Sequence, residues 1–147
     1  MRNAWNGQEV SLQSSRVKGI SCILDTDIVI DFLRRRDYAR KLLESWAGEG
    51  LLAISTLTQL EIYQGMKGGQ ERATNVFLDG LVSVAVDVPI ARQAGRIIGE
   101  FRSKGVTVGT GDAIIAATAL QVSAPLLTNN VEHYAFTNLR VVRGLET

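Results

Sequence analysis

Short apolar segments alternate with amphipathic segments along this chain of 147 residues. The amphipathic segments have helical spacing, and the short apolar segments are typical of buried strands. A strand, a helix and then another strand predict a parallel pair, because parallel neighbours need a crossover connection. The sequence therefore predicts an α/β domain with a mostly parallel sheet and helices on both faces. The predicted strands are residues 20–24, 51–54, 81–86, 126–128 and 139–142.

Four polar residues stand near the downstream ends of these predicted strands. They are Asp25 after the first strand, Glu61 on the helix after the second, Asp112 at the start of a helix of small residues, and Asn130 after Thr128. Ligands of open α/β sheets bind at the carboxyl ends of the strands, so we expect these side chains to gather there. Three gathered carboxylates repel one another unless a cation lies between them. Carboxylate and amide oxygens suit Mg²⁺ or Mn²⁺, so the pattern predicts a divalent-metal site.

Each of the four residues also has a purely structural interpretation. Asp25, Asp112 or Asn130 could cap a helix or close a turn. Thr58 and Glu61 fit a capping box, and for that segment alone capping is the better interpretation. The four residues taken together favour the metal site.

Composition excludes several classes of protein. The 46% apolar and 21% charged content is that of a globular domain. No apolar run approaches the ~20 residues that cross a bilayer, and the lone Cys22 excludes an internal disulfide. Residues 1–17 are polar and aperiodic, which predicts a loose N-terminal extension before a single domain at residues 18–147. We expect a cytoplasmic protein that does not bind membranes.

The formal net charge is only +1, which gives no argument for an unselective nucleic-acid coat. Basic residues nevertheless cluster after the first predicted helix, and this cluster is either a solvated surface or a contact for RNA or an acidic partner. The only histidine, His133, is interpreted as a surface or helix-end residue and is left out of the site. The basic cluster consists of Arg34, Arg35, Arg36, Arg40 and Lys41.

Three segments resemble the motifs of PIN-domain ribonucleases. Residues 23–31 (ILDTDIVID) resemble the first motif, 111–119 (GDAIIAATA) the third and 126–130 (LLTNN) the fourth, and Glu61 matches the remaining acid. The resemblance covers residues 20–142, and a short chain of this kind is most similar to VapC-type toxins of toxin–antitoxin pairs. It implies a three-layer α/β/α sandwich and a metal-dependent endoribonuclease.

The resemblance also implies the roles of the site residues. Asp25 and Asp112 would hold Mg²⁺ or Mn²⁺, Glu61 would bind metal or position the attacking water, and Asn130 would complete the set. PIN domains often have aspartate at the fourth position. Asn130 contributes no charge, so whether one or two ions bind stays open.

The partners implied by the resemblance are RNA as substrate, a cognate antitoxin and a second copy of the chain in a homodimer. The antitoxin segment would lie in a groove formed by residues 28–46 and 62–77.

Two alternative functions remain open. The Asp25-Thr26-Asp27 segment resembles the opening motif of haloacid-dehalogenase-like phosphatases, with Asp25 as nucleophile. The later acidic motif of that family is incomplete here, because position 116 is alanine. A non-catalytic binding module on the PIN-like fold is the other alternative.

Overall fold

The computed structural model describes residues 19–135 and 138–145. The predicted extension at residues 1–17 lies outside these ranges. Within them the chain forms a five-stranded sheet whose strand order is β3-β2-β1-β4-β5. All four neighbouring pairs are parallel, which confirms the predicted parallel sheet. The strands are β1 (Ile20–Leu24), β2 (Leu51–Ser55), β3 (Val82–Val84), β4 (Leu126–Thr128) and β5 (Val141–Arg143).

The helices fill the connections between the strands. They are α1 (Thr26–Leu33), α2 (Asp37–Ala47), α3 (Thr56–Gln64), α4 (Glu71–Asp79), α5 (Val88–Arg102) and α6 (Thr110–Val122), with a short 3₁₀ helix at Val131–Tyr134.

Successive side chains of the central strand β1 point to opposite faces of the sheet. Cys22 and Leu24 pack in a cluster with Ile28 and Val29 of α1 and with apolar residues of α2, α3 and α4. Ile23 packs in a second cluster, with Ile115 of α6 and other residues on that side. Helix α5 then packs on α6. This arrangement is the predicted α/β/α sandwich.

Three of the predicted strands have wrong bounds: the second ends one residue later than predicted, and the third and fifth differ at both ends. Strand β3 ends at Val84 rather than at residue 86, because the chain then turns into α5. The Val86 backbone N–H donates to Thr56 Oγ1 at 3.1 Å, and the Asp87 side chain caps α5 by accepting from the Ile90 N–H. Strand β5 begins at Val141, where pairing with Leu126 starts, and not at residue 139.

Two glycines provide a matched pair of stability predictions. A Cβ at Gly50 would lie 2.5 Å from the Gly19 carbonyl oxygen, a backbone atom beside β1, whereas a Cβ at Gly95 in α5 meets no atom within 4 Å. We expect Gly50→Ala to destabilise the fold by about 1–3 kcal/mol through overpacking. Gly95→Ala should stabilise it by about 0.5–1 kcal/mol through helix propensity. Urea unfolding of both variants checks this, and equal effects of the same sign would contradict it.

Candidate metal centre

Asp25 stands at the carboxyl end of β1, in the middle of the sheet. It is the N-cap of α1, where its Oδ1 accepts from the Thr26 backbone N–H at 2.8 Å, so the capping interpretation of this residue is correct. Its Oδ2 accepts from Thr128 Oγ1 at 2.8 Å and from the Tyr134 hydroxyl at 2.9 Å. These bonds fix a carboxylate that is only 9% exposed.

Asp112 lies close to Asp25, as the contact of one tyrosine hydroxyl with both carboxylates shows. The Tyr134 hydroxyl is 3.4 Å from Asp112 Oδ1 as well as 2.9 Å from Asp25 Oδ2. Helix α6 begins at Thr110 with Gly109 as its N-cap, so the N-cap interpretation of Asp112 is wrong. Asp112 instead occupies the first turn, where a carboxylate interacts favourably with the helix dipole.

The electrostatics of this pair follow from the shared hydroxyl. A tyrosine hydroxyl has one proton, so Tyr134 can donate fully to only one of the two carboxylates at a time. Burial raises the pKa of Asp112, and the charge of Asp25 raises it further, while His133 and Tyr134 act in the opposite direction. Burial and the two carboxylates also raise the pKa of Tyr134, which keeps it a hydrogen-bond donor.

His133, left out of the predicted site, is adjacent to it. Its Nδ1 is 3.4 Å from Asp112 Oδ2, and its side chain is 58% exposed. The surface position agrees with the prediction, but the contact with Asp112 was not foreseen.

Glu61 lies on α3, near Thr26, which follows Asp25, and near Gly111, which precedes Asp112. Its Oε1 accepts from Thr26 Oγ1 at 2.5 Å. Because the Thr26 proton is used there, Thr58 donates to Thr26 across their 3.0 Å contact. On the other side, a Cβ at Gly111 would lie 3.9 Å from Glu61 Oε2.

The capping-box interpretation of Glu61 is wrong. Helix α3 begins at Thr56, and its N-cap is Ser55, whose Oγ accepts from the Leu57 N–H at 3.0 Å. Thr58 is fully buried within α3, and its hydroxyl contacts the Thr26 hydroxyl that donates to Glu61.

Asn130 follows β4 and is exposed. It takes the N-cap position of the 3₁₀ helix without a capping bond from its side chain. Its backbone N–H donates to Thr128 Oγ1 at 3.0 Å, and its Nδ2 donates to Asp27 Oδ2 at 3.3 Å. The amide is therefore held against Asp27.

Asp27 is a partly buried acid in the first turn of α1, two residues after Asp25. Its Oδ2 also accepts from the Asn129 backbone N–H at 2.8 Å. Its Oδ1 is the one buried side-chain oxygen or nitrogen among the described residues that has no hydrogen-bond partner. Burial, followed by the nearby charge of Asp25, raises the pKa of Asp27 to about 6.

This raised pKa predicts a pH-dependent effect of Asp27→Asn in EDTA. The ordinary value is 3.8, so between pH 4 and 6 the unfolded chain loses a proton that the folded protein retains, and wild-type stability falls. Asparagine does not titrate. Its stabilising effect on the midpoint of thermal unfolding should therefore grow from pH 4 to pH 6 and stay constant above. A difference independent of pH would contradict the assignment.

Tyr134 is the site residue that sequence reasoning missed. It is 1% exposed and joins Asp25 to Asp112 from the 3₁₀ helix. The only sequence signal was a tyrosine four residues after Asn130, and a buried tyrosine usually needs a hydrogen-bond partner.

The side chains present fit a hard divalent cation in their chemistry. Asp25 and Asp112 are two carboxylates that share the Tyr134 hydroxyl, and the buried Asp27 Oδ1 has no hydrogen-bond donor among the described residues. All are carboxylate oxygens, which Mg²⁺ and Mn²⁺ prefer. Within residues 19–135 and 138–145, however, no group of three or more His, Cys, Asp or Glu side chains is arranged to hold a metal ion. The structure thus brings Asp25 and Asp112 together, leaves Glu61 bonded to Thr26 and holds Asn130 against Asp27.

A cavity of about 560 Å³ opens next to Asp112. Asp112 and His133 belong to its lining, so the cavity borders the acidic pair at Asp112. The other lining residues are Phe101, Val106, Thr107, Val108, Gly109, Glu132 and Ala135.

No helix in the described part of the chain is long and apolar enough to span a membrane.

The fold and the site define an α/β protein with an acidic centre at the carboxyl edge of its sheet. The family profile of the PIN domain matches residues 22–139. Ribonuclease VapC19 of Mycobacterium tuberculosis is 35% identical over 113 residues, which are 76% of this chain and 90% of that protein. Ribonuclease VapC10 of the same organism is 36% identical over 113 residues, 76% of this chain and 84% of that protein.

Solved structures agree with these sequence matches. A toxin–antitoxin complex from Klebsiella pneumoniae has a TM-score of 0.75 and 30% identity, over 86% of this chain and 100% of that one. VapBC2 from Rickettsia felis, bound to a DNA fragment from its promoter, has a TM-score of 0.74 and 25% identity, over 84% and 98% of the chains. The chain therefore belongs to the PIN-domain family, among the VapC-type ribonucleases. This membership replaces the haloacid-dehalogenase-like alternative.

Proposed function

We propose that this protein is a metal-dependent endoribonuclease and the toxin of a toxin–antitoxin pair. The observation that carries the proposal is the pair of aspartates, Asp25 and Asp112, which share the Tyr134 hydroxyl at the carboxyl edge of the sheet. Two carboxylates on one donor favour a cation between them, and the relatives named above are ribonucleases.

The residues have distinct parts in RNA hydrolysis. A bound Mg²⁺ or Mn²⁺ would lower the pKa of a water molecule bound to it and would stabilise the negative charge that develops on the phosphate. Asp25, held by Thr26, Thr128 and Tyr134, presents a fixed carboxylate for the ion, and Asp112 presents the second. Because these bonds fix Asp25 before RNA binds, little reorganisation is needed during the reaction.

Glu61 and Asn130 complete the proposed set. Glu61 accepts a hydrogen bond from the Thr26 hydroxyl, which aligns its carboxylate beside Gly111 and the start of α6. From there it can bind metal or orient the attacking water. Asn130 lies next to Asp27 and contributes a neutral oxygen, so the position that it serves binds a cation more weakly than an aspartate would.

The test is cleavage of structured and unstructured RNA by purified protein with Mg²⁺ or Mn²⁺. The double variant Asp25→Asn/Asp112→Asn, purified in the same way, is the control for contaminating nucleases. Cleavage by the wild type alone supports the proposal, whereas equal cleavage by both overturns it. Metal binding without cleavage of any RNA would favour a non-catalytic binding module.

The same proposal assigns a cognate antitoxin as partner and a homodimer as the assembly. The solved complexes from Klebsiella pneumoniae and Rickettsia felis support the antitoxin partner, whereas the homodimer rests on the family resemblance alone. Within the segments proposed to form the groove, residues 28–46 and 62–77, Tyr63 and Val76 are exposed apolar side chains that such a partner could cover. Light scattering of the purified chain tests the homodimer. Inhibition of cleavage by the protein product of an adjacent short gene tests the antitoxin.

A further inference from the structure

We propose that the cavity beside Asp112 binds a base of the RNA, next to the phosphate that is cleaved, and that it prefers bases with an amino group over uracil. This inference rests on the proposed nuclease function and names the part of the protein that selects the cleavage position.

The cavity borders the acidic pair at Asp112. Asp112 contributes both to its lining and to the contact with Tyr134, and His133 lines it while standing 3.4 Å from Asp112. A nucleotide whose phosphate lies at Asp25 and Asp112 would therefore place its neighbouring base at the mouth of this cavity. The volume of about 560 Å³ is in the range of small-molecule sites, roughly 300–1,000 Å³, and accommodates a base with its sugar.

The walls are suited to a flat, apolar surface. Phe101, Val106, Val108 and Ala135 line the cavity, and Val106 keeps 45% of its surface exposed at a loop after α5. Single-stranded RNA is recognised mainly through unstacked bases that pack on aromatic and apolar side chains. The Lys104 ammonium lies 5.1 Å from the centre of the Phe101 ring, which adds a positive charge close to this wall.

The polar lining argues for a base and against a phosphate. Asp112 and Glu132 both contribute carboxylates, which accept hydrogen bonds from a base and repel a phosphate that no cation bridges. Glu132 Oε2 is 2.9 Å from Arg143 Nη2, and the second oxygen of this carboxylate can accept from a base as well. Adenine, cytosine and guanine offer amino groups as donors, and a carboxylate accepting from such an amine is a known mode of base recognition. Uracil offers two carbonyl oxygens on either side of one N–H, so it meets the same carboxylates less favourably.

Binding of short oligonucleotides tests this without cleavage. The probes are four fluorescein-labelled 2′-O-methyl trinucleotides that differ only in the central base, measured by anisotropy with Ca²⁺ and again with EDTA. Val106→Trp places an indole in the cavity at an exposed position. Val88→Trp is the matched control, because Val88 is exposed at the other end of α5, about 20 Å from Phe101 at 1.5 Å per residue.

We expect the wild type to bind the three probes with amino-bearing bases more tightly than the uracil probe. Val106→Trp should weaken their binding about tenfold, as expected for loss of one stacked base, and Val88→Trp should leave it unchanged. Circular dichroism checks that both variants fold. If Val106→Trp fails to fold, the base preference of the wild type still tests the proposal.

The outcomes separate this inference from the proposed function. No binding of any probe in either condition, no preference against uracil, or equal binding by Val106→Trp and the wild type overturns the base site, and cleavage of RNA would then still support the nuclease. The expected binding pattern in a protein that cleaves no RNA with Mg²⁺ or Mn²⁺ retains the base site and overturns the nuclease.

Discussion

Replacing Asp25 by asparagine is expected to slow RNA cleavage by at least about 100-fold, because a metal ion contributes several kcal/mol to such a reaction and each 1.36 kcal/mol is a factor of ten. The fold should persist. Asparagine caps helices as well as aspartate does, so α1 keeps its N-cap bond. The hydroxyls of Thr128 and Tyr134 can accept from an amide as well as donate to a carboxylate. Single-turnover cleavage of labelled RNA measures the effect.

Asp87→Asn is the matched control for this variant. Asp87 caps α5 through the Ile90 N–H and is exposed, so the same substitution at another helix cap should leave the cleavage rate unchanged. Retention of cleavage by Asp25→Asn would contradict the assigned role of Asp25. An equal loss in both variants would show that the effect arises from capping.

Tyr134→Phe is expected to lower the free energy of unfolding by about 3 kcal/mol in EDTA. The Tyr134 hydroxyl is buried and contacts two carboxylates, and a buried charged group that loses its hydrogen-bond donor destabilises the fold by about this amount. Removing it leaves Asp25 and Asp112 facing each other without the shared donor. A bound cation would offset the repulsion between the two carboxylates, so the destabilisation should become smaller with Mn²⁺. Urea unfolding with EDTA and with Mn²⁺ measures both values.

Tyr63→Phe controls for the loss of a tyrosine hydroxyl. Tyr63 donates to Asn75 on the protein surface, away from the acidic pair, and its removal should change stability by less than about 0.5 kcal/mol. If Tyr134→Phe behaved like Tyr63→Phe, or if Mn²⁺ had no influence on it, the shared hydroxyl would have no part in holding the two carboxylates.

Much of the fold could be predicted because its strands are buried. The apolar segments of residues 20–24 and 126–128 predicted both bounds of β1 and of β4 correctly, because these are interior strands with apolar residues packed on either face. The edge strands β3 and β5 were misplaced by one or two residues at both ends. Their limits are set by pairing and by local bonds such as that from Val86 to Thr56, which apolar patterning does not record.

The candidate site was predictable only in part. Position along the chain suggested that Asp25 and Asp112 would approach each other, because parallel strands bring their carboxyl ends to one edge. The sequence could not show that Tyr134 joins them, that Thr26 and Thr58 hold Glu61, or that Asn130 turns to Asp27. Those contacts depend on side-chain directions across distant segments, which spacing does not encode.

The central claim is that Asp25 and Asp112 together hold a divalent cation required for RNA cleavage. It is tested most directly by the cleavage rate of the wild type and of Asp112→Asn as Mn²⁺ is titrated from EDTA-treated protein. We predict no cleavage in EDTA, recovery with Mn²⁺ in the wild type, and a requirement for at least about tenfold more Mn²⁺ in Asp112→Asn, because loss of a ligand charge weakens cation binding. Cleavage that persists in EDTA, or identical titrations of the two proteins, would contradict it.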